Sequence, residues 1–394
     1  MKKVAFLIQI MTCGGIERAL VNLCNKLIEP GKCEITIYMM TRRGEFLDKI
    51  PEGVEIKEID IPNKIKKYLP VGGAKVAIRE RLKQRKYYQA FVILMRQIFS
   101  KHKFAELNID FEQVPPIREK YDIAINFNMH SPFLVRFLAE KVVAEKKYTW
   151  IHNDFVTTGY NIAVLNKYLQ CNDGFFAVSK QLQDEFINLL PEYRAKIKIA
   201  HNLIDRENIL QQSKEFVPQE YTSCPKGYIK ILTVGRLEEQ KGYDIAIKVS
   251  SRLKSDGVMF RWFVIGSGTE SPNLYRMVRE YGVTEDFIFL GVRSNPYPYF
   301  KDCDIYVQSS RHEGYATTIT EAKFFCKPIV MTDVAGAREQ IEDGVTGQIT
   351  TVSAEALYSS LKHLIADPDR QRKFIENLSE TAYNEENSYL ELFD

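Results

Sequence analysis

The strongest constraint on this chain is an alternation, met twice, of short apolar runs with amphipathic stretches of helical period. In the first half, residues 4–10 read as a strand and 16–28 as a helix, with further strands at 34–40, 122–127, 148–151 and 174–178. Several of these strands are apolar on both faces, the mark of a parallel sheet covered by helices. In the second half, strands are expected at 228–234, 260–265, 287–290, 305–308 and 328–332, and helices at 243–254, 273–281, 317–325 and 354–365. A length of 394 residues exceeds what one hydrophobic core usually serves. The expectation is therefore two successive α/β units. Between them the pattern lapses into Gln211-Gln212-Ser213-Lys214-Glu215 and Thr222-Ser223-Cys224-Pro225-Lys226-Gly227. That polar stretch sets the domains at 1–205 and 229–375, joined by a linker at 206–228, with a tail at 376–394. Sheets of this kind bind ligands beyond the carboxyl ends of their strands, which points to a cleft site.

Composition narrows the class. Apolar residues make up 45% and charged residues 27%, ordinary for a soluble globular chain. No window approaches the roughly 18 uninterrupted apolar residues of a membrane span. The opening run resembles a signal peptide, but it is short and passes into Gly14-Gly15 and an amphipathic helix. It reads as a buried strand, and a cytoplasmic location is expected. The seven cysteines are scattered and form no C-x-x-C pair, so free thiols in a reducing compartment are expected.

Net charge is only +3, yet Lys64, Lys66, Lys67, Lys75, Arg79, Arg81, Lys83, Arg85, Lys86, Arg96, Lys101 and Lys103 face only Glu80 in their stretch. Val76, Ile78, Leu82, Tyr87, Tyr88, Phe91, Ile93, Leu94, Met95, Ile98 and Phe99 interleave with them. Such a region suits an anionic membrane surface, at about 1 kcal/mol per cation. Equally, it suits the solvated face of ordinary helices. Nucleic acid is not an expected partner, because the rest of the chain is balanced and carries no recognition motif.

Two segments carry the chemistry. In Val234-Gly235-Arg236-Leu237-Glu238-Glu239-Gln240-Lys241-Gly242 a strand ends at Gly235 and two cations follow in the loop. A diphosphate leaving group needs its charge neutralised, and without a metal Arg236 and Lys241 would do it. In Arg311-His312-Glu313-Gly314-Tyr315-Ala316-Thr317-Thr318-Ile319-Thr320-Glu321 one carboxylate sits in a loop and a second in the helix that follows. Free N–H groups at the start of that helix offer a phosphate cradle. Each carboxylate accepts hydrogen bonds from two vicinal hydroxyls, Glu313 from a sugar and Glu321 from a ribose.

With these residues in place the C-terminal half resembles the retaining family 4 glycosyltransferases of GT-B fold. Their V-G-R, K-G, I-V-G-x-G, F-L-G-x-V, E-x7-E, G-x-P-V/I-V, G-x-x-E and x-x-G-x-x-G elements appear here in order. They are Val234-Gly235-Arg236, Lys241-Gly242, Val264-Ile265-Gly266-Ser267-Gly268, Phe289-Leu290-Gly291-Val292, Glu313 to Glu321, Lys327-Pro328-Ile329-Val330, Gly336-Ala337-Arg338-Glu339 and Asp343-Gly344-Val345-Thr346-Gly347. The resemblance implies two Rossmann-like α/β/α domains, with the tail returning to the first. It implies that Arg236 and Lys241 bind the donor diphosphate and that Glu321 binds ribose. By the same resemblance Glu313 contacts the transferred sugar, Gly314, Tyr315, Ala316 and Thr317 meet phosphate and sugar through their backbone, and Val292 and Arg293 lie beside the base. Ala316, Thr317 and Thr318 replace the usual Gly, Leu and Pro, which bears on the shape of the sugar pocket.

In the N-terminal half, Gly14-Gly15-Ile16-Glu17-Arg18 resembles the family's G-G-x-E-R turn, whose backbone approaches the donor phosphate. His152, in Trp150-Ile151-His152-Asn153-Asp154, matches a family histidine at a strand end. Asn126 and Asn128 stand where the family often has histidines, and His130, His201 and His312 are assigned no role. Asp302-Cys303-Asp304 has a metal-binding form but precedes a buried strand and reads as structural. The dinucleotide fingerprint and its ribose-binding acid are absent, which argues against a nicotinamide cofactor.

The resemblance thus implies a metal-independent, retaining glycosyltransferase using a nucleotide-diphosphate sugar, a UDP-sugar first among them. Its acceptor would be a sugar or lipid-linked sugar of polysaccharide assembly. Rival readings are a nucleotide-sugar epimerase of the same architecture, which needs no acceptor, and a non-catalytic sugar-nucleotide-binding protein, which tolerates loss of the cationic clamp.

Overall fold

Every strand pair among the described residues is parallel, as strands buried on both faces require. The computed structural model describes residues 1–12, 14–28, 31–67, 69, 74–99, 110–155, 162–380 and 388–394. The first sheet contains β1 (Lys2–Ile8), β2 (Cys33–Met39), β3 (Glu55–Glu58), β4 (Lys120–Asn126), β5 (Val143–Ile151), β6 (Gly174–Ala177) and β7 (Ile197–Ile199). Its order is β3-β2-β1-β4-β5-β6-β7. The second contains β8 (Ile229–Val234), β9 (Phe260–Ile265), β10 (Phe287–Gly291), β11 (Ile305–Gln308), β12 (Ile329–Thr332) and β13 (Gln348–Thr350), ordered β10-β9-β8-β11-β12-β13. In each sheet the winding reverses once, between β1 and β4 and between β8 and β11. At such reversals the flanking loops part and leave a crevice at the carboxyl ends of the strands.

The chain divides into two compact units, Met1–Leu203 with Asn387–Asp394, and Ile204–Glu386. Residues 206–228, read from the sequence as a linker, belong to the second unit. They form helices Arg206–Gln212 and Gln219–Thr222. Tyr221 is buried with its ring 4.7 Å from Phe263 and 5.4 Å from Tyr299, and Asn295 donates to the Gln212 carbonyl at 2.8 Å. A segment so polar in composition is held by only a few apolar anchors, Ile209 and Tyr221, and that is why it reads as a connection.

In the first unit the tail packs on the sheet. The Tyr389 ring meets Trp150 edge-on at 5.2 Å, its hydroxyl donates to the His201 carbonyl at 3.1 Å, and Phe393 lies 6.5 Å from Phe6. Three strands that the alternation did not predict, β3, β7 and β13, all lie at or next to a sheet edge. Edge strands can be as short and polar as Glu55-Ile56-Lys57-Glu58, because one of their edges stays unpaired and open to solvent.

The basic stretch forms helices Ala74–Lys83 and Tyr87–Phe99, while Lys101 and Lys103 lie outside the described residues. Arg85 turns the chain between them with φ 58°, and the Lys86 N–H donates to the Arg81 carbonyl at 2.7 Å. This is a helix-ending turn in which a side-chain-bearing residue in the left-handed region costs about 1–2 kcal/mol that glycine would avoid. Among the described residues no helix is long and apolar enough to cross a membrane. The thiols of Cys24, Cys33 and Cys303 are buried, and burial pushes each of them up from its ordinary pKa.

Candidate functional site

The site in the second unit is built where β8 and β11 part. β8 delivers Gly235 and Arg236 into the loop, and a one-turn helix, Glu239–Lys241, sets Lys241. Gly242 ends that turn at φ 63°, and an added Cβ would overlap the Ser309 carbonyl oxygen, so the two loops meet backbone to backbone. Further bonds lock them. The Arg311 N–H donates to the Gln240 carbonyl at 2.7 Å, the Gln240 amide to the His312 carbonyl at 2.9 Å, and the Ser309 hydroxyl to the Lys241 carbonyl at 3.0 Å. Arg311 grips Asp244 through two bonds of 2.8 Å.

Between these loops Lys241 Nζ donates to Glu313 Oε1 at 2.6 Å, with side chains only 15% and 8% exposed. The same oxygen accepts from Gln308 Nε2 at 3.0 Å and from the Ser310 hydroxyl. Gln308 is itself held, its Oε1 accepting from Tyr306 at 2.8 Å and Thr318 at 3.2 Å. One carboxylate oxygen of Glu313 is thus saturated, which aims the group and leaves Oε2 as its remaining acceptor. The aliphatic stem of Lys241 lies against Gly235, since a Cβ there would sit 3.4 Å from Lys241 Cε. Arg236 is exposed, and its guanidinium has no hydrogen bond or ion pair among the described residues, while its carbonyl accepts from the Glu238 N–H at 2.8 Å.

The loop Gly266-Ser267-Gly268 follows β9 and supports the Arg236 loop. Leu237 N–H donates to the Ser267 carbonyl at 3.0 Å, and the Glu238 carboxylate accepts from Thr269 N–H at 2.9 Å and from its hydroxyl at 2.6 Å. Gly266, at φ 149°, passes so close to the Gly235 carbonyl that no side chain fits.

After Glu313, the loop through Gly314 and Tyr315 enters helix Thr317–Phe324 with Ala316 at its N-cap. Its first N–H groups have no intrahelical acceptor, so the end carries partial positive charge. Gln340, buried, clamps this entry. Its Oε1 accepts from Ala316 N–H at 3.0 Å, and its amide donates to the Ala316 carbonyl at 2.8 Å and to Thr320 at 3.1 Å. Glu321, 2% exposed, accepts from Tyr297 at 3.4 Å. Val292 is exposed at 42%, whereas Arg293 is tied to Glu220 at 3.0 Å and to Tyr299 at 3.3 Å.

In the first unit Gly14 precedes helix Gly15–Ile28, and Glu17 folds back so that Thr12 donates to it at 2.9 Å and its carboxylate covers Gly14. Asn126 ends β4 and His152 follows β5, neighbouring strands by register. His152 is buried, its Nε2 has no hydrogen-bond partner among the described residues, and its ring lies 4.8 Å from Phe127 and 6.2 Å from Trp150. Burial, with a smaller push from His130, lowers its pKa to about 3, so it is neutral at pH 7. His130, bonded to the Asp154 carbonyl at 3.2 Å, is lowered to about 4 by burial. The Asn126 amide nitrogen is likewise buried without a partner. Asp304 accepts from Lys230 N–H at 2.7 Å and Cys303 is buried, which gives Asp304 a structural task.

Sequence reasoning missed the support of the site: Gln308, Ser310, Tyr297, Gln340 and the Arg311–Asp244 pair. Only Thr318 left a signal, as a departure from the family pattern.

With this geometry in view, the second unit defines a class. Residues 219–381 match the family described as Glycosyl transferases group 1. The second unit carries that family's sequence pattern, and the chain has the GT-B fold of two parallel-sheet units. Among curated relatives, an N-acetylgalactosamine-N,N'-diacetylbacillosaminyl-diphospho-undecaprenol 4-alpha-N-acetylgalactosaminyltransferase of Campylobacter jejuni is 30% identical over 47% of this chain and 48% of its own length. The aligned part thus spans about half of that relative. Among solved structures, Anabaena HepE in complex with UDP and glucose superposes with TM-score 0.68 at 18% identity, covering 96% of this chain and 94% of that one. WaaG, a glycosyltransferase involved in lipopolysaccharide biosynthesis, does so with TM-score 0.64 at 15% identity over 98% and 96% of the two chains.

Proposed function

We propose that this chain transfers a sugar from a nucleoside diphosphate donor, a UDP-sugar, to a hydroxyl of a lipid-linked sugar, with retention and without a metal. One observation carries the reading: at the β8/β11 reversal, Lys241 and Glu313 share a desolvated bond that joins the loop carrying Arg236 to the loop leading into helix Thr317–Phe324. This juxtaposes cations for a diphosphate with a carboxylate oxygen for sugar hydroxyls. The HepE complex holds UDP and glucose, which supports the donor class, and the Campylobacter relative's name specifies a diphospho-undecaprenol acceptor, which supports the acceptor class.

In the proposed reaction the bond between the anomeric carbon and the diphosphate oxygen breaks and its electron pair stays on the phosphate. The acceptor hydroxyl oxygen bonds to the same face, and its proton passes to the departing phosphate. Arg236, Lys241 and the helix N–H groups stabilise the charge growing on that phosphate, and in sites of this kind such stabilisation lowers the barrier most. Glu313 orients the transferred sugar and Glu321 the ribose.

Thermal stabilisation by UDP, GDP, ADP, dTDP and NAD, with a chelator present, tests the donor site. A ligand at a hundredfold excess over its Kd adds about 2.7 kcal/mol. UDP is expected to stabilise the protein and Glu321→Ala to abolish the effect; stabilisation by NAD alone, or by none, overturns the reading. Product formation from the sugar nucleotide without acceptor would instead favour an epimerase.

A further inference from the structure

Helix Tyr87–Phe99 is apolar on two sides, but the fold covers one. Ala90 and Ile93 are buried, while Tyr87, Phe91 and Leu94 are exposed at 63%, 56% and 43%. Their spacing puts these three within an arc of about 60° on the helix. Tyr88 flanks the stripe, and Leu82 joins it from helix Ala74–Lys83, both exposed. Single exposed hydrophobics are ordinary, but a continuous stripe of aromatic and aliphatic groups marks a contact surface.

The rim of the stripe is cationic. Lys83, Arg85 and Lys86 are exposed at the turn between the two helices, and Glu80 is the one acid within residues 74–99. Arg85 adds an independent indication. It holds a left-handed conformation in which glycine would be the low-strain residue, so the chain keeps a cation at this tip against a local backbone preference. Apolar groups at the centre, tyrosines beside them and cations outside match the layering of a bilayer surface, where acyl chains lie beneath anionic headgroups.

We propose that the helical hairpin of residues 74–99 docks this protein on an anionic lipid bilayer, with Tyr87, Phe91 and Leu94 entering the interface and Lys83, Arg85 and Lys86 meeting headgroup phosphates. None of these residues belongs to the donor-binding motifs, so the surface stands or falls apart from the transfer reaction. The test is co-sedimentation of the full chain with phosphatidylcholine vesicles, with and without phosphatidylglycerol. Binding is expected only with the anionic lipid and is expected to weaken in high salt. Arg85→Gly removes a cation while relieving the left-handed strain. It should lower vesicle partitioning about fivefold and leave the melting temperature unchanged or raised. The triple variant Tyr87→Ser, Phe91→Ser, Leu94→Ser should fold and no longer sediment with vesicles. Equal binding to neutral vesicles, or full binding by the triple variant, overturns the proposal. So does a wild-type oligomer that the triple variant turns into monomer without any vesicle binding, which would make the face an interface between copies.

Discussion

At the scale of single residues, Arg236 and Lys241 look alike in sequence and are held in opposite ways. Arg236 is exposed and unpaired, so Arg236→Ala should leave the melting temperature within about a degree while turnover falls about 10²- to 10³-fold. Lys241 is desolvated against Glu313, so Glu313→Ala leaves a nearly buried ammonium without its partner. Denaturant titration should show that loss as about 3 kcal/mol, with Glu313→Gln costing less. His152 sets a pH dependence. Its folded-state pKa of about 3 lies below the unfolded value of about 6.5, so protons bind the unfolded chain first. The contribution is complete above about pH 6.5 and is lost as pH falls toward the folded value. Between pH 7 and pH 5 the wild type should lose about 2 kcal/mol more than His152→Gln; equal losses would refute the buried, neutral histidine.

Among elements, the loops after β8, β9 and β11 meet because glycine lets them touch and side-chain amides fasten them. Gly266→Ala would push the β9 loop off the Gly235 carbonyl, costing about 2–3 kcal/mol and weakening nucleotide binding in the same variant. Gln340 fastens the entry to helix Thr317–Phe324, so Gln340→Ala should raise the Kd for the nucleotide with a stability loss of about 1–3 kcal/mol. Calorimetric titration beside thermal melting separates the two effects. Of this support only Gly266 and Thr318 left a mark in the sequence. A glutamine at a strand end, as Gln308 is, or one residue past a family motif, as Gln340 is, looks like any polar residue until its partners from distant elements are known. Arg236, Lys241, Glu313 and Glu321 could be put forward from the sequence because a diphosphate and vicinal hydroxyls would demand cations and carboxylates at loop and helix starts.

For the whole molecule, the tail shows how distant segments complete a core. Phe393 is 1% exposed beside Phe6, and Phe393→Ala should destabilise the first unit by about 3 kcal/mol. Hydrogen exchange that rises in β1 and not in β8 would check where the loss falls. The paired alternation of apolar runs was sufficient by itself to specify two parallel-sheet units, because period two and period 3.6 bury different faces and cannot be exchanged. It could not reveal the edge strands β3, β7 and β13, which are only three or four residues long and carry polar residues, too little for a pattern to register. Nor could it allot residues 206–228, where the buried side chains of Ile209 and Tyr221 outweigh a polar composition. The sequence by itself determined the fold class and the chemistry available at the loop ends. Only the tertiary structure decided which oxygen of Glu313 is spent on Lys241, and which face of helix Tyr87–Phe99 is left uncovered. Both depend on partners far apart in the chain, and a local pattern carries no record of them.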